Sequence, residues 1–305
     1  MNYLDLKKAK KIYAEGKNVT EFLRKEFKEK ENTSNIIEIA YDLQSGTYIK
    51  HVNLNRQRQE LYVNELAGLL EPHLSQGLSL LDIGTGELTT LSLLLNRINI
   101  PLSEVLAFDI SWSRLYEGRR FYEKNCTNNI FKLRTFVADI YNIPLPSKSV
   151  DVTTSSHALE PNGGNLKNLL NELFRVTKRK CVFFEPSYEL NSNKGKSRMD
   201  KLGYIKDVEG IARKLGGHVL DVKLIKSTLN PLNPTACFVI EPPKTVISVN
   251  KKEITFSVPG TDMPLVKDEH FFTSSDTGLV FPILKNIPIF KSELGILATN
   301  LFGDI

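Results

Sequence analysis

Three carboxylates close three successive apolar runs: Asp82 in LSLLDIGTGE, Asp109 in EVLAFDI and Asp139 in TFVADI. If those runs are parallel strands of one sheet, the three acids stand at one edge of it. That edge is the crevice where such sheets bind ligands. Behind Asp82 come Gly84 and Gly86, which let the backbone turn tightly and approach a ligand closely. Where a dinucleotide loop carries its third glycine, this chain has Glu87. A helix N-terminus favours an anion, and a carboxylate placed there repels a pyrophosphate. It does not repel a ligand with a cationic amino-acid end. S-adenosylmethionine carries an ammonium and a sulfonium and no phosphate, so the acidic loop favours it over a nicotinamide dinucleotide. Asp109 stands where an acid can bind ribose hydroxyls.

The elements needed to hold these residues follow from the pattern. Apolar runs (LSLLDI, EVLAFDI, TFVADI, VDVTTSS, KCVFFEP, HVLDVKLI, ACFVIEP) alternate with helix-like segments such as LTTLSLLLNRI, WSRLYEGRRFYEKN, NLKNLLNELFRV and VEGIARKLG. Strands alternating with helices predict an α/β fold with a parallel sheet covered on both faces. Residues 1–75 read as a helical cap, with Asn18 and Glu21 in capping-box spacing. Pro242 and Pro243 interrupt regular structure after the last run. Residues 76–243 are then the sheet domain, and 244–305 a small β-rich unit.

Composition narrows the classes of function. The 305 residues include three scattered cysteines, Cys126, Cys181 and Cys237, which excludes a disulfide framework and a CxxC metal pair. Free thiols fit a reducing cytoplasmic setting. No apolar run approaches the ~18 residues of a membrane span. A net charge of +5 permits a polyanionic partner without indicating one.

The motifs LLDIGTGE, AFDIS, VADIYNIPLPSKSVDV and NELFRVTKRKCVFFEP resemble those of class I S-adenosylmethionine-dependent methyltransferases, over roughly residues 75–241. The resemblance implies a Rossmann-like, seven-stranded methyltransferase sheet with S-adenosyl-L-methionine as cofactor. It also implies that Asp82, Gly84 and Gly86 form the loop beside the methionine part. Asp109 would bind the ribose hydroxyls, with Ile110 on the adenine. Asp139 would accept from the adenine amino group, with Ile140 beside it. Glu87 departs from the usual small residue. In this fold the segment SSHALEPNGGN faces the methyl group. Methyl transfer needs a positioned acceptor, and a base if the acceptor is a hydroxyl. His157 suits the base, Glu160 can orient it or bind a hydroxyl, and Asn162 supplies polar edges. The loop lacks the Asn/Asp-Pro-Pro-aromatic pattern of enzymes acting on adenine amino groups or glutamine amides. In YDLQSGTYIKHV, Tyr41, Gln44 and Tyr48 are placed as a lid lining the acceptor, and Glu185 and Tyr188 close the fifth strand facing the crevice.

The C-terminal segment FSVPGTDMPLVKDEHFFTSSDTGLVFPILKNIPIF resembles the small zinc-ribbon family that includes the methyltransferase activator subunit. Pro259, Pro264, Gly278, Pro282 and Pro288 fall in register. The four ligand positions hold Val258, Thr261, Ser274 and Thr277, which bind zinc poorly. A metal-free ribbon fused to the sheet would remove the need for a separate activator subunit. The expected activity is methylation of an oxygen on a small molecule or glycan precursor. The alternatives are an RNA or protein acceptor, suggested by the ribbon's relatives and the basic balance, and a non-catalytic cofactor-binding module.

Overall fold

The structure, a computed structural model, describes residues 3–128, 132–228, 230–244 and 254–301. The chain opens with α1 (Tyr3–Ala14), α2 (Val19–Phe27), α3 (Ser34–Leu43), α4 (Thr47–Leu54) and α5 (Arg56–Leu70). Asn18 caps α2, its side chain accepting from the Glu21 amide at 3.0 Å. The Glu21 carboxylate turns instead to Lys25, one helical turn on.

The alternating part follows as β1 (Ser79–Ile83), α6 (Thr89–Leu95), β2 (Glu104–Asp109), α7 (Trp112–Asn125), β3 (Leu133–Ala138), β4 (Val150–Ser156), α8 (Leu166–Val176), β5 (Thr177–Pro186), α9 (Asn193–Leu202), α10 (Val208–Lys214), β6 (His218–Leu224) and β7 (Thr235–Glu241). All seven apolar runs are strands, in the order β6-β7-β5-β4-β1-β2-β3. Strands β1 and β2 are buried throughout, as central parallel strands covered on both faces must be. On one face Tyr62, Leu66 and Leu70 of α5 pack with Leu91 and Leu94 over Leu80, Val105 and Val182. On the other, Leu169, Leu173 and Phe174 of α8 cover Leu81, Leu106 and Phe183. One strand departs from a wholly parallel sheet. Strand β7 pairs antiparallel with both β5 and β6, because the link from β6 is too short for a helical crossover.

Helix α9 lies outside the segments that read as helix-like in the sequence. Its sequence, NKGKSRMDKL, lacks an apolar stripe. Its ends explain it: the Ser192 side chain accepts from the Gly195 amide, and Gly203 closes it in the left-handed region at φ 69°.

The β-rich tail holds β8 (Val266–Lys267), β9 (Phe271–Thr273), β10 (Leu279–Leu284), β11 (Ile287–Phe290) and β12 (Ile296–Leu297). Residues 245–253, which include most of the stretch read as a domain break, lie outside the described residues, as do 302–305. Lys285 and Asn286 join β10 to β11 with φ of 51° and 60°, a two-residue hairpin turn whose twist suits the strands. Strand β11 then lies parallel to β3, with Ile289 opposite Val137 and Phe290 opposite Ala138, so the sheet does not end at β3. Phe256, Phe272, Phe281 and Phe290 join the same apolar cluster as Phe136 of β3. No helix among the described residues is long and apolar enough to cross a membrane.

Candidate active site

The turn after β1 places Gly84 and Gly86 at φ of 57° and 58°, a region glycine adopts without strain. The Asp109 carboxylate at the end of β2 fixes that turn. Its Oδ2 accepts from the Gly86 amide and its Oδ1 from the Ser111 amide, each at 2.9 Å. Asp139 accepts from the Tyr141 amide at 3.0 Å. Gly84, Asp109, Ile110, Asp139, Ile140, His157 and Asn162 line one cavity of about 70 Å³. Asp82 is buried and does not line this cavity, and burial, with the nearby Asp109 charge, pushes its carboxyl up to about 7.

Glu87 stands apart from the expected arrangement. It is buried, and its oxygens accept from the Gly46 amide at 2.9 Å and the Ile49 amide at 2.8 Å. The carboxylate therefore sits on the N-terminus of α4, where orphan amides and the helix dipole favour an anion. Its role in this structure is to fasten the helical cap to the glycine loop. Asp42 at the end of α3 makes a second fastening, accepting from the Ser111 hydroxyl at 2.7 Å.

The turn after β4 is built around His157, held in the left-handed region at φ 57°. Its Nδ1 lies 2.7 Å from Glu160 Oε2 and its Nε2 2.8 Å from the Thr235 hydroxyl. A carboxylate only accepts, so Nδ1 carries the proton and Nε2 accepts from Thr235. Asn233 donates to the same Glu160 oxygen at 3.1 Å. Burial pulls the imidazole pKa down, but the charge and hydrogen bond of Glu160, with Glu185, more than offset it, so it stands above the ordinary value.

One expected site residue, Glu185, acts behind this turn rather than in the crevice. Glu185 is buried and accepts from the amides of Ala158, Leu159 and Glu160 at 2.9 to 3.2 Å. Burial pushes its carboxyl up to about 7. Asn162 lines the cavity, but its amide is engaged by the Tyr141 hydroxyl and the carbonyls of Ala158 and Leu159. Tyr188 leaves the crevice altogether. Its hydroxyl donates to Asp200 of α9 at 3.3 Å, under the ammonium of Lys206.

The cap residues do come to the site. Tyr41 borders the first cavity, and with Gln44 and Tyr48 it lines an adjoining one of about 380 Å³, together with Tyr13, Asn18, Asn32, Glu160 and Tyr204. The pair His157–Glu160 spans the two spaces, since His157 lines the first and Glu160 the second. Sequence reasoning missed Thr235 and Asn233, which approach only because β7 folds back beside β5. It also missed Arg114, which reads as one more surface residue of α7.

Residues 81–184 match the family described as a methyltransferase domain. Among solved structures, the fold is similar to a complex of the Haloferax volcanii Trm112 methyltransferase activator with a methyltransferase. The match has a TM-score of 0.51 at 16% identity, over 67% of this chain and 98% of that one. An S-adenosylmethionine-dependent methyltransferase from Aquifex aeolicus aligns with a TM-score of 0.44 at 20% identity, over 61% and 92% of the two chains. Magnesium protoporphyrin IX methyltransferase from Synechocystis PCC 6803 aligns with a TM-score of 0.46 at 15% identity, over 61% and 84%. Comparison with curated protein sequences finds no match. The protein is an S-adenosylmethionine-dependent methyltransferase, and S-adenosyl-L-methionine is its cofactor. The residues present fit that group. The carboxylates of Asp109 and Asp139 can accept from hydroxyl and amino donors, Ile110 and Ile140 offer apolar faces, and the buried Arg114 Nε beside the same cavity lacks a hydrogen-bond partner.

Proposed function

We propose that the protein methylates a hydroxyl oxygen of a small molecule or glycan precursor, with His157 as general base. The observation that carries this reading is the His157–Glu160 pair at the seam of the two cavities. The cofactor supplies an electrophilic methyl group. The larger cavity, with its tyrosines, amides and one carboxylate, suits a flat or hydroxylated ring. Glu160 keeps the His157 proton on Nδ1, which leaves Nε2 to take the acceptor's proton in place of the Thr235 contact. A methylation screen with labelled cofactor across hydroxylated small molecules, nucleotide sugars and RNA tests it. Transfer to RNA alone, or to an amine alone, overturns it.

Asp109 is proposed as the ribose partner. Asp109→Ala is expected to weaken S-adenosylhomocysteine binding by about 1.5–3 kcal/mol, the range for a charged hydrogen bond. Calorimetric titration reads this directly, and unchanged affinity removes Asp109 from the site.

The C-terminal unit is proposed as a metal-free ribbon acting as a scaffold in the same chain, so that no separate activator is required. Supporting it, hydroxyls close the turns at the former ligand positions. Thr261 donates to the Val258 carbonyl at 2.8 Å, and the Leu279 amide donates to Thr277 at 3.3 Å. The unit also holds the cap, through buried Lys291 paired with Glu38 of α3. Elemental analysis of the purified chain is expected to find less than about one-tenth zinc per chain, because the usual thiolate and imidazole ligands are missing. Stoichiometric zinc whose removal unfolds the protein is the contrary result.

A further inference from the structure

Arg114 projects from the first turn of α7 over the glycine loop, where a Cβ on Gly86 would run into its guanidinium. Only 7% of the residue is exposed, and it borders the cofactor cavity. The Asp109 and Glu87 carboxylates reach it at 3.8 and 4.0 Å, beyond hydrogen-bond distance, and Nε has no hydrogen-bond partner. Tyr48 and Tyr41 lie against it, with ring centroids 4.6 and 5.2 Å from the guanidinium carbon. This cation is therefore held by charge and aromatic faces, with its Nε donor left over. Buried donors of that kind are costly unless something accepts from them.

Both neighbouring carboxylates stay beyond hydrogen-bond distance of Arg114, Asp109 turned to the Gly86 and Ser111 amides and Glu87 to the Gly46 and Ile49 amides. A ligand in the adjoining cavity can supply the acceptor that Arg114 Nε lacks. Of the groups on S-adenosylmethionine, the α-carboxylate alone is anionic. A guanidinium matches a carboxylate in a bidentate fork, which a lysine cannot reproduce. The cavity beside Arg114 is about 70 Å³, against the roughly 300–1,000 Å³ usual for ligand sites, so the guanidinium or the tyrosines against it shift when the cofactor enters.

We propose that Arg114 binds the α-carboxylate of the cofactor's amino-acid end, and that it passes to that carboxylate from its resting place between Tyr41 and Tyr48. This rests on the cofactor assignment and adds a binding residue that the family motifs do not name in this chain. The test is a binding cycle on the full chain, with S-adenosylhomocysteine and with 5′-methylthioadenosine, which keeps the adenine, ribose and sulfur but lacks the amino-acid end. Arg114→Met is expected to weaken S-adenosylhomocysteine about 10- to 100-fold, the range for a charged hydrogen bond, and to leave methylthioadenosine within about twofold. Arg114→Lys should recover only part of the loss. Equal changes for the two ligands would show a role in building the loop. Tighter binding of both would show a plug that merely occupies the cavity. Either result overturns the proposal. An unmutated chain that binds neither ligand overturns the cofactor reading itself, and the Arg114 assignment with it.

Discussion

Phe290→Ala is expected to lower the unfolding free energy of the whole chain by about 3–5 kcal/mol, the usual loss for emptying a fully buried phenylalanine site. Phe290 has no exposed surface, and its ring lies 4.6 Å from Phe256, 5.0 Å from Phe272, 5.9 Å from Phe136 and 6.0 Å from Phe281. Phe136 belongs to β3 of the methyltransferase sheet and the other rings to the C-terminal unit, so the cavity opens where the two meet. Backbone pairing of β11 with β3 passes through the same residue. The sole tryptophan gives a convenient reporter, because Trp112 stands on α7 with its indole N–H donating to the Leu284 carbonyl of the β10–β11 hairpin. In urea, Trp112 fluorescence and far-UV circular dichroism should change together, at a lower midpoint than in the unmutated chain and with similar slope. A loss below about 1 kcal/mol, or a tail that unfolds apart from an unaltered sheet, would show that the junction is not cooperative.

How much of this was legible in the sequence depended on whether a signal was local. The seven strands announce themselves as short apolar runs ending in acids or turn residues, and the ends of β1, β2 and β3 accordingly bring Gly84, Asp109, Ile110, Asp139 and Ile140 to one cavity. The direction of β7 is written in the short link after β6 and not in the strand's own residues, so reading the apolar runs alone misses it. Helix α9 was hidden because its order comes from Ser192 and Gly203 at its ends, while its body is polar. Glu87 shows the limit of arguing from a residue's neighbours in sequence. Its type and its place beside the loop were plain, but its partners, Gly46 and Ile49, lie some forty residues earlier in the cap. Glu185 is a similar case. A carboxyl at a strand end was read as facing the crevice, whereas three amides of the neighbouring turn bind it from behind. Tyr188 was drawn off to α9, the helix that the sequence did not reveal. Thr235 and Asn233 reach His157 and Glu160 across more than seventy residues of sequence, a proximity created by the return of β7.

His157→Asn is expected to lower turnover about 100-fold or more while S-adenosylhomocysteine binding stays within about twofold, since a positioned general base contributes roughly 10²–10⁴. Asparagine suits the test because His157 sits at φ 57°, where asparagine is among the better tolerated residues, so the turn itself should survive. The replacement keeps a polar side chain near Glu160 and Thr235 but cannot take up a proton at neutral pH. Dependence on pH sharpens the result. Burial favours the neutral ring, yet Glu160 and Glu185 raise the pKa above the ordinary value. A base works only when neutral, so the rate should fall as pH drops through that raised pKa, and this acid limb should vanish in the variant. Stability must move the other way. A histidine whose folded pKa is raised contributes its full stabilisation below the unfolded value, near 6.5, and loses it as pH rises through the folded one. Across one pH window, therefore, the enzyme should gain rate and lose His157-linked stability, and the variant should do neither. A rate that is flat between the two proteins would remove the base role and leave the turn as a device for positioning the acceptor.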